Sequence, residues 1–193
     1  MLAVTLTQSD HDLRGILALQ QENLKKAISS ETAHSQGFVT VEHDLPLLRR
    51  MHEAEPSVIA KDGDRVVGYC LTMLPSFRND IPVLRSMFDM LDEIEFEGKL
   101  LAETGYVAMG QICVADGYRG QGLFDTMYDR FREHLSDRYP LAVTEIAVSN
   151  PRSQRAHERV GFRTIHTYFD PAYNETWNVV AWNWQPSVAD TTV

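Results

Sequence analysis

Two stretches of this 193-residue chain carry residue types and spacings suited to chemistry. The first reads Val114-Ala115-Asp116-Gly117-Tyr118-Arg119-Gly120-Gln121-Gly122-Leu123-Phe124. An apolar run ends there, and a glycine-containing turn leads into a segment with Phe124, Met127, Tyr128, Phe131 and Leu135 on one helical face. The first amides of a helix lack internal partners, and the helix dipole adds partial positive charge at that end. Glycines let a ligand approach the backbone, so this turn can hold a pyrophosphate, with the Arg119 charge beside it. A plain structural turn explains the same glycines equally well. Two commoner phosphate loops are excluded. No Gly-Lys-Ser/Thr closes the turn, and the G-x-G-x-x-G register from Gly120 passes Gly122 and lands on Asp125.

The second stretch reads Asn150-Pro151-Arg152-Ser153-Gln154-Arg155-Ala156-His157-Glu158-Arg159-Val160-Gly161-Phe162. Asn is a good helix cap and Pro suits the first helical position. Gly161 stands where a helix end needs a left-handed residue. Inside lies His157, whose ordinary pKa of about 6.5 allows it to give or take a proton near neutrality.

The elements that must position these stretches follow from periodicity and turn chemistry. Residues 4–6 read as a strand. Ser9 and Asp12 then open a helix in capping-box fashion, with Leu13, Ile16, Leu17, Gln20 and Leu24 on one face. A polar stretch, 29–37, breaks it. Thr40 is expected to cap a second helix bearing Val41, Leu45, Leu48 and Met51, with Pro56 past its end. Residues 57–61 and 65–74 form a hairpin signature around Asp62-Gly63-Asp64. After a long excursion, 75–105, come a strand (106–114), a helix (123–139), a strand (142–148), the short helix from Asn150, and two strands (163–169 and 177–184). This order, βααββ, insertion, βαβαββ, predicts an α/β or α+β domain. It reads as one domain over 1–186 with a tail at 187–193.

Composition excludes several classes. Eighteen Lys and Arg against 27 Asp and Glu give a net charge of −9, which argues against a nucleic-acid partner and suits a cationic small substrate. No apolar run approaches the roughly 20 residues of a membrane span. Residues 1–10 lack a basic segment followed by an apolar stretch, so no secretion signal is expected and the expected location is the cytoplasm. Cys70 and Cys113 sit in apolar runs and read as buried reduced thiols. His34, His43 and His52 show no metal-ligand spacing, and no metal is expected. Trp177, Trp182 and Trp184 read as core and edge packing, with a homodimer contact as the alternative for an exposed aromatic edge.

Arg119 to Phe124 resembles the coenzyme A motif of the GNAT acetyltransferases, Q/R-x-x-G-x-G/A, with Phe124 where Gly or Ala is usual. Asn150 to Phe162 is similar to the same family's later motif, N-x-x-(A/S)-x-x-x-Y-E-x-x-G-F, with His157 in the place of the Tyr. The resemblance implies a mixed, mostly antiparallel twisted sheet of six to seven strands flanked by about four helices, with 75–105 inserted between the third and fourth strands. It implies acetyl-coenzyme A as co-substrate and a small-molecule or peptide amine as acceptor. Cofactor contacts are implied at Ile112, Cys113, Val114, Arg119, Gly120, Gln121, Gly122, Leu123, Phe124, Asn150 and Ser153. An amide near Cys113 or Val114 serves the oxyanion, and the pantetheine arm pairs with the edge of a strand splayed from its neighbour. Transfer of a longer acyl group, or acyl-coenzyme A sensing without turnover, are the alternatives.

Under the resemblance His157 protonates the departing thiolate, and Glu145 on the fifth strand, twelve residues before it, is the first choice of base. Gln111, orienting a water, and Glu103 stand behind it, and a water-only mechanism remains open. Arg152 or Arg155 meets phosphates or is simply solvated. In the insertion, Leu84, Met87, Phe88 and Leu91 suit an amphipathic helix after Pro82. Asp89, Asp92, Glu93, Glu95 and Glu97 form either a solvated face or an acidic lid over a cationic acceptor. Phe38, between the first two helices, is a candidate acceptor wall.

Overall fold

The computed structural model describes residues 1–24, 39, 41–171 and 173–185. In chain order the elements are β1 (Leu2–Leu6), α1 (Asp10–Asn23), α2 (Leu45–Ala54), β2 (Val58–Asp62), β3 (Arg65–Met73), α3 (Arg85–Glu93), β4 (Glu95–Phe96), β5 (Lys99–Leu100), α4 (Leu101–Thr104), β6 (Val107–Val114), α5 (Leu123–Leu135), β7 (Leu141–Ala147), α6 (Pro151–Val160), β8 (Arg163–Asp170) and β9 (Glu175–Asn183). Seven of the strands make one sheet in the order β1-β2-β3-β6-β7-β9-β8. Every neighbouring pair is antiparallel except β6 with β7. This is the mixed, mostly antiparallel sheet the resemblance implied.

The sheet is covered on both faces, which is why β3 is buried almost throughout. Tyr69 points toward α1, where its hydroxyl donates to Gln111, which also accepts from Gln20 of α1. Its neighbour Cys70 points the other way, toward Tyr128 of α5. Both cysteines are free and buried, and burial pushes the Cys113 thiol up to about 12. Ser9 caps α1 as expected, accepting from the Asp12 amide at 3.5 Å.

The second helix differs from the sequence reading. It begins at Leu45, capped by Asp44, whose side chain accepts from the Leu47 amide at 2.8 Å. Pro46 sits in the first turn, where its missing amide leaves no bond unmade. Val41 therefore precedes the helix. Thr40, Phe38, the 29–37 stretch and the 187–193 tail lie outside the described residues.

The insertion has structure of its own: two 3-10 turns, Pro75–Asn79 and Pro82–Leu84, then α3, the β4–β5 hairpin and the single turn of α4. Phe88 and Leu91 of α3 are buried, as their spacing predicts. The acidic run is not a lid. Asp92 and Asp89 accept from Arg78 at 2.7 and 3.2 Å, and Glu97 accepts from Asn183. Trp182 and Trp184 are core residues, and the exposed aromatics are instead Phe169 (57%) and Tyr173 (50%). Among the described residues no helix is long and apolar enough to cross a membrane.

Gly161 closes α6 at φ 117°, and a Cβ there would lie 2.6 Å from Trp182 Nε1. Gly161→Ala should therefore lose about 1–2 kcal/mol to left-handed strain and about 1–3 kcal/mol to overpacking. Thermal denaturation reads this as a fall of about 2–4 °C per kcal/mol for a chain of this size.

Candidate active site

The site begins where β6 and β7 part. They pair only at Val107 with Ala142 and Ala108 with Val143, whereas β7 stays paired with β9 along its whole length. Beyond Ala108 one edge of β6 is therefore open toward β7. A bulge bends the strand there: Leu71 faces Gln111 and Thr72 faces Met109, so Gly110 is the extra residue. A Cβ on Gly110 would press on Met73 at 3.1 Å. The Ala115 amide donates to Val67 on the β3 side. Alternation along the strand then turns the Ile112 and Val114 amides to the open edge and that of Cys113 toward β3. Of the two residues suggested for the oxyanion amide, Val114 faces the opening.

At the end of β6 the chain turns through Gly120 and Gly122 at φ 75° and 79°, values that L side chains avoid. Gly122 is the residue before α5, and no side chain caps that helix. Its first amides thus remain available to an anion. A groove of about 480 Å³ opens here. Every residue implied as a cofactor contact lines it except Gln121, whose amide nitrogen donates instead to the Gly117 carbonyl at 2.8 Å. Arg152, Arg155 and Arg159 of α6 also line it. Arg119 braces the loop: its Nε donates to the Val114 carbonyl at 3.0 Å and its Nη2 to Asn23 Oδ1 at 2.8 Å.

The two departures from the family pattern touch each other. The Phe124 and His157 rings meet edge to face, 5.2 Å between centroids at 85°. Tyr128 and Phe162 close on the same imidazole at 5.4 and 5.2 Å. His157 is 2% exposed and lines neither cavity of the site. Burial pushes its pKa down to about 4. Nδ1 lies 2.8 Å from the Ser153 carbonyl, which only accepts, so Nδ1 carries the hydrogen and Nε2 a bare lone pair. The geometry does not give His157 the acid role that the resemblance implied.

A second, smaller cavity of about 100 Å³ lies along the same strand, lined by Ala108, Met109 and Gly110 where the groove is lined by Ile112, Cys113 and Val114. Glu145 lines it, with Oε1 buried and unpartnered. Burial raises its carboxyl to about 7, opposed by a hydrogen bond from Tyr168 and assisted by the charge of Asp170. The two other candidates are elsewhere. Gln111 Oε1 accepts from Gln20 and from Tyr69, both at 2.7 Å, and its amide donates to the Val41 carbonyl at 2.9 Å. Gln111 therefore braces the cavity wall at Val41. Glu103 is exposed on α4 and lines neither cavity. Sequence reasoning missed Tyr168, Asp170 and Trp177 as cavity residues. Their period-2 spacing within each strand was visible, but which strands pair was not.

An uncapped helix start, glycines at the turn, arginines along one wall and an open strand edge together define a fold that holds a phosphate-bearing co-substrate between splayed strands. The acetyltransferase (GNAT) family model matches residues 21–162. The chain belongs to the GNAT acetyltransferase family, whose reaction is acyl transfer from acetyl-coenzyme A. No curated protein matches it. Solved structures share the fold. The NatC complex bound to Gag peptide and coenzyme A superposes with a TM-score of 0.66 at 11% identity, covering 95% of this chain and 99% of its own. The ribosomal-protein-S18-alanine N-acetyltransferase of Escherichia coli gives 0.62 at 12%, covering 100% of both. The protein yncA of Salmonella typhimurium, solved with its cofactor acetyl-CoA, gives 0.64 at 14%, covering 100% of this chain and 99% of its own.

Proposed function

We propose that this protein is a cytoplasmic N-acetyltransferase that moves the acetyl group of acetyl-coenzyme A to an amine, with Glu145 as general base. The observation that carries this reading is a buried carboxyl, raised to about 7, in a cavity that adjoins the groove along β6. A base poised near neutral pH suits removal of a proton from an attacking ammonium.

The groove's residues have a pyrophosphate and a peptide-like arm to hold. The first amides of α5 and Arg152 or Arg155 of α6 meet the former, Arg159 being held by Asp125 at 2.7 Å, and the Ile112 and Val114 edge can pair with the latter by strand addition. Bound acetyl-coenzyme A supplies the thioester carbonyl. The Ile112 amide, which also faces the open edge and is the nearer of the two to the Glu145 cavity, donates to the oxygen that gains charge. Glu145 takes the amine's proton, with the Tyr168 ring beside it in the same cavity. No dedicated acid is required, since a thiol of pKa about 8.5 leaves readily as its anion.

Calorimetric titration with coenzyme A, followed by thiol release from acetyl-coenzyme A over a panel of amines, tests the proposal. Arg119→Ala, by loosening the loop, should weaken coenzyme A binding by about 1–3 kcal/mol. Coenzyme A binding with no amine acetylated would leave the fold assignment standing and remove the transfer to nitrogen.

A further inference from the structure

The second cavity has a composition that selects among amines. Strand register brings four of its side chains to one face. Glu145 stands opposite Val179 and Ala147 opposite Trp177, so Glu145 and Trp177 share a face of the β7–β9 pair. Tyr168 stands opposite Trp177, and Asp170, two residues on, faces the same way. Two of these residues hold buried polar atoms with no partner: Glu145 Oε1, an acceptor, and Trp177 Nε1, whose hydrogen is a donor. Among the described residues six buried side-chain polar atoms lack a partner, and of these only the Glu145 and Trp177 atoms belong to residues lining either cavity, so an occupant of this cavity has both an acceptor and a donor to meet.

The insertion supplies the opposite wall. Leu84, Met87 and Leu91 line the cavity with Met73 and Met109, while Asp89 and Asp92 of α3 turn outward to Arg78. No basic residue lines the cavity among the described residues. A carboxylate on the acceptor would meet Glu145 and Asp170 without compensation, and a second ammonium would be buried against methionine and leucine. A volume of about 100 Å³ suits one small apolar side chain.

We infer that the acceptor is a primary amine bearing a neutral hydrogen-bond acceptor and a small apolar group, the chemistry of an α-amino amide with an aliphatic side chain. The ammonium goes to Glu145, the amide carbonyl accepts from Trp177 Nε1, and the side chain packs on Met87. The 75–105 insertion is then the specificity wall of the site. This inference rests on the proposed amine transfer and names its substrate class. A free amino-acid amide and the first residue of a peptide offer the same chemistry.

The test compares leucinamide, 3-methylbutylamine (the same body without the carbonyl), leucine, spermidine and a short peptide beginning with Leu, using thiol release from acetyl-coenzyme A. Leucinamide or the peptide should be the best acceptor, and whichever leads identifies the source. Leucine and spermidine should fall at least about tenfold lower in kcat/KM, as an uncompensated buried charge requires. Trp177→Phe keeps a ring and removes the donor, so KM for leucinamide should rise about 5–30-fold, with 3-methylbutylamine changing by less than about twofold. A merely structural role for Trp177 would move both amines alike. Met87→Trp should slow both amines while coenzyme A affinity holds, showing that the fold is intact. Preference for spermidine or leucine, or equal effects of Trp177→Phe on the two amines, would overturn the inference and leave amine transfer standing. Failure of every amine while coenzyme A binds would remove the proposed function itself.

Discussion

Glu145→Gln is expected to slow turnover by about 10²–10⁴-fold while coenzyme A affinity stays within about twofold. The side chain lines the acceptor cavity and not the cofactor groove, so removing its charge affects proton transfer and leaves the pyrophosphate contacts alone. The pH profile supplies an independent signature. Burial lifts the Glu145 carboxyl from 4.5 to about 7. The parent enzyme should therefore gain activity as pH rises through about 7, and the Gln variant should lose that limb. Stability moves the other way. A carboxyl whose folded pKa lies above its unfolded value binds its proton more tightly in the fold, so its contribution is complete below 4.5 and is lost as pH rises through about 7. At pH 8 the parent must keep an ionised carboxylate in a dry cavity, whereas the amide of the variant has no charge to bury, so Glu145→Gln should raise the Tm there. Slower catalysis with a higher melting point at pH 8 separates lost chemistry from lost fold. An unchanged rate in a folded variant would remove Glu145 as base and leave water in its place.

His157→Tyr restores the family's usual residue, yet it should destabilise this protein by about 1–3 kcal/mol. The imidazole sits in a closed ring cage of Phe124, Tyr128 and Phe162, and a phenol needs more space than it leaves. Phe124 is the companion departure. Phe124→Ala returns that position to the family pattern and opens the cage on its groove side. The double variant should recover much of the stability lost by His157→Tyr, a coupling of the size that contacting residues show, about 0.5–3 kcal/mol. Chemical denaturation of the four proteins gives the coupling directly, and strict additivity would show that the two positions do not share space. For catalysis, His157→Phe should keep turnover within about tenfold, because the parent's Nε2 has no proton to give. A fall of about 10²–10⁴-fold would instead establish the acid role.

Much of the cofactor side was written locally in the sequence. Gly120 and Gly122 before an amphipathic run, Asn150-Pro151 as a helix start and Gly161 as its end are short-range signals, set by dihedral preference and by unpaired helix amides. The same locality made the elements readable to within a few residues. The exceptions were α2, where Asp44 and not Thr40 stands at the helix start because Pro46 belongs to the first turn, and the 3-10 turns, β4–β5 hairpin and α4 of the insertion, too short to show a periodicity. The role of the insertion was only half legible. Spacing marked Phe88 and Leu91 as apolar, but the outward turn of Asp89 and Asp92 depends on Arg78, held across a separate 3-10 turn.

Tertiary structure alone decided the acceptor side. Glu145, Tyr168, Asp170 and Trp177 meet through the register of three strands, and Met87 reaches them from a helix far earlier in the chain. Gln111 is taken up by Gln20, Tyr69 and Val41, and His157 is enclosed by rings from α5 and from the residue after Gly161. Whether a titratable side chain can act depends on its desolvation and its partners, and both come from residues distant in sequence. Residue type and spacing therefore named the chemistry this chain is capable of, while burial decided that Glu145 faces a cavity with a raised carboxyl and that His157 is closed away from it.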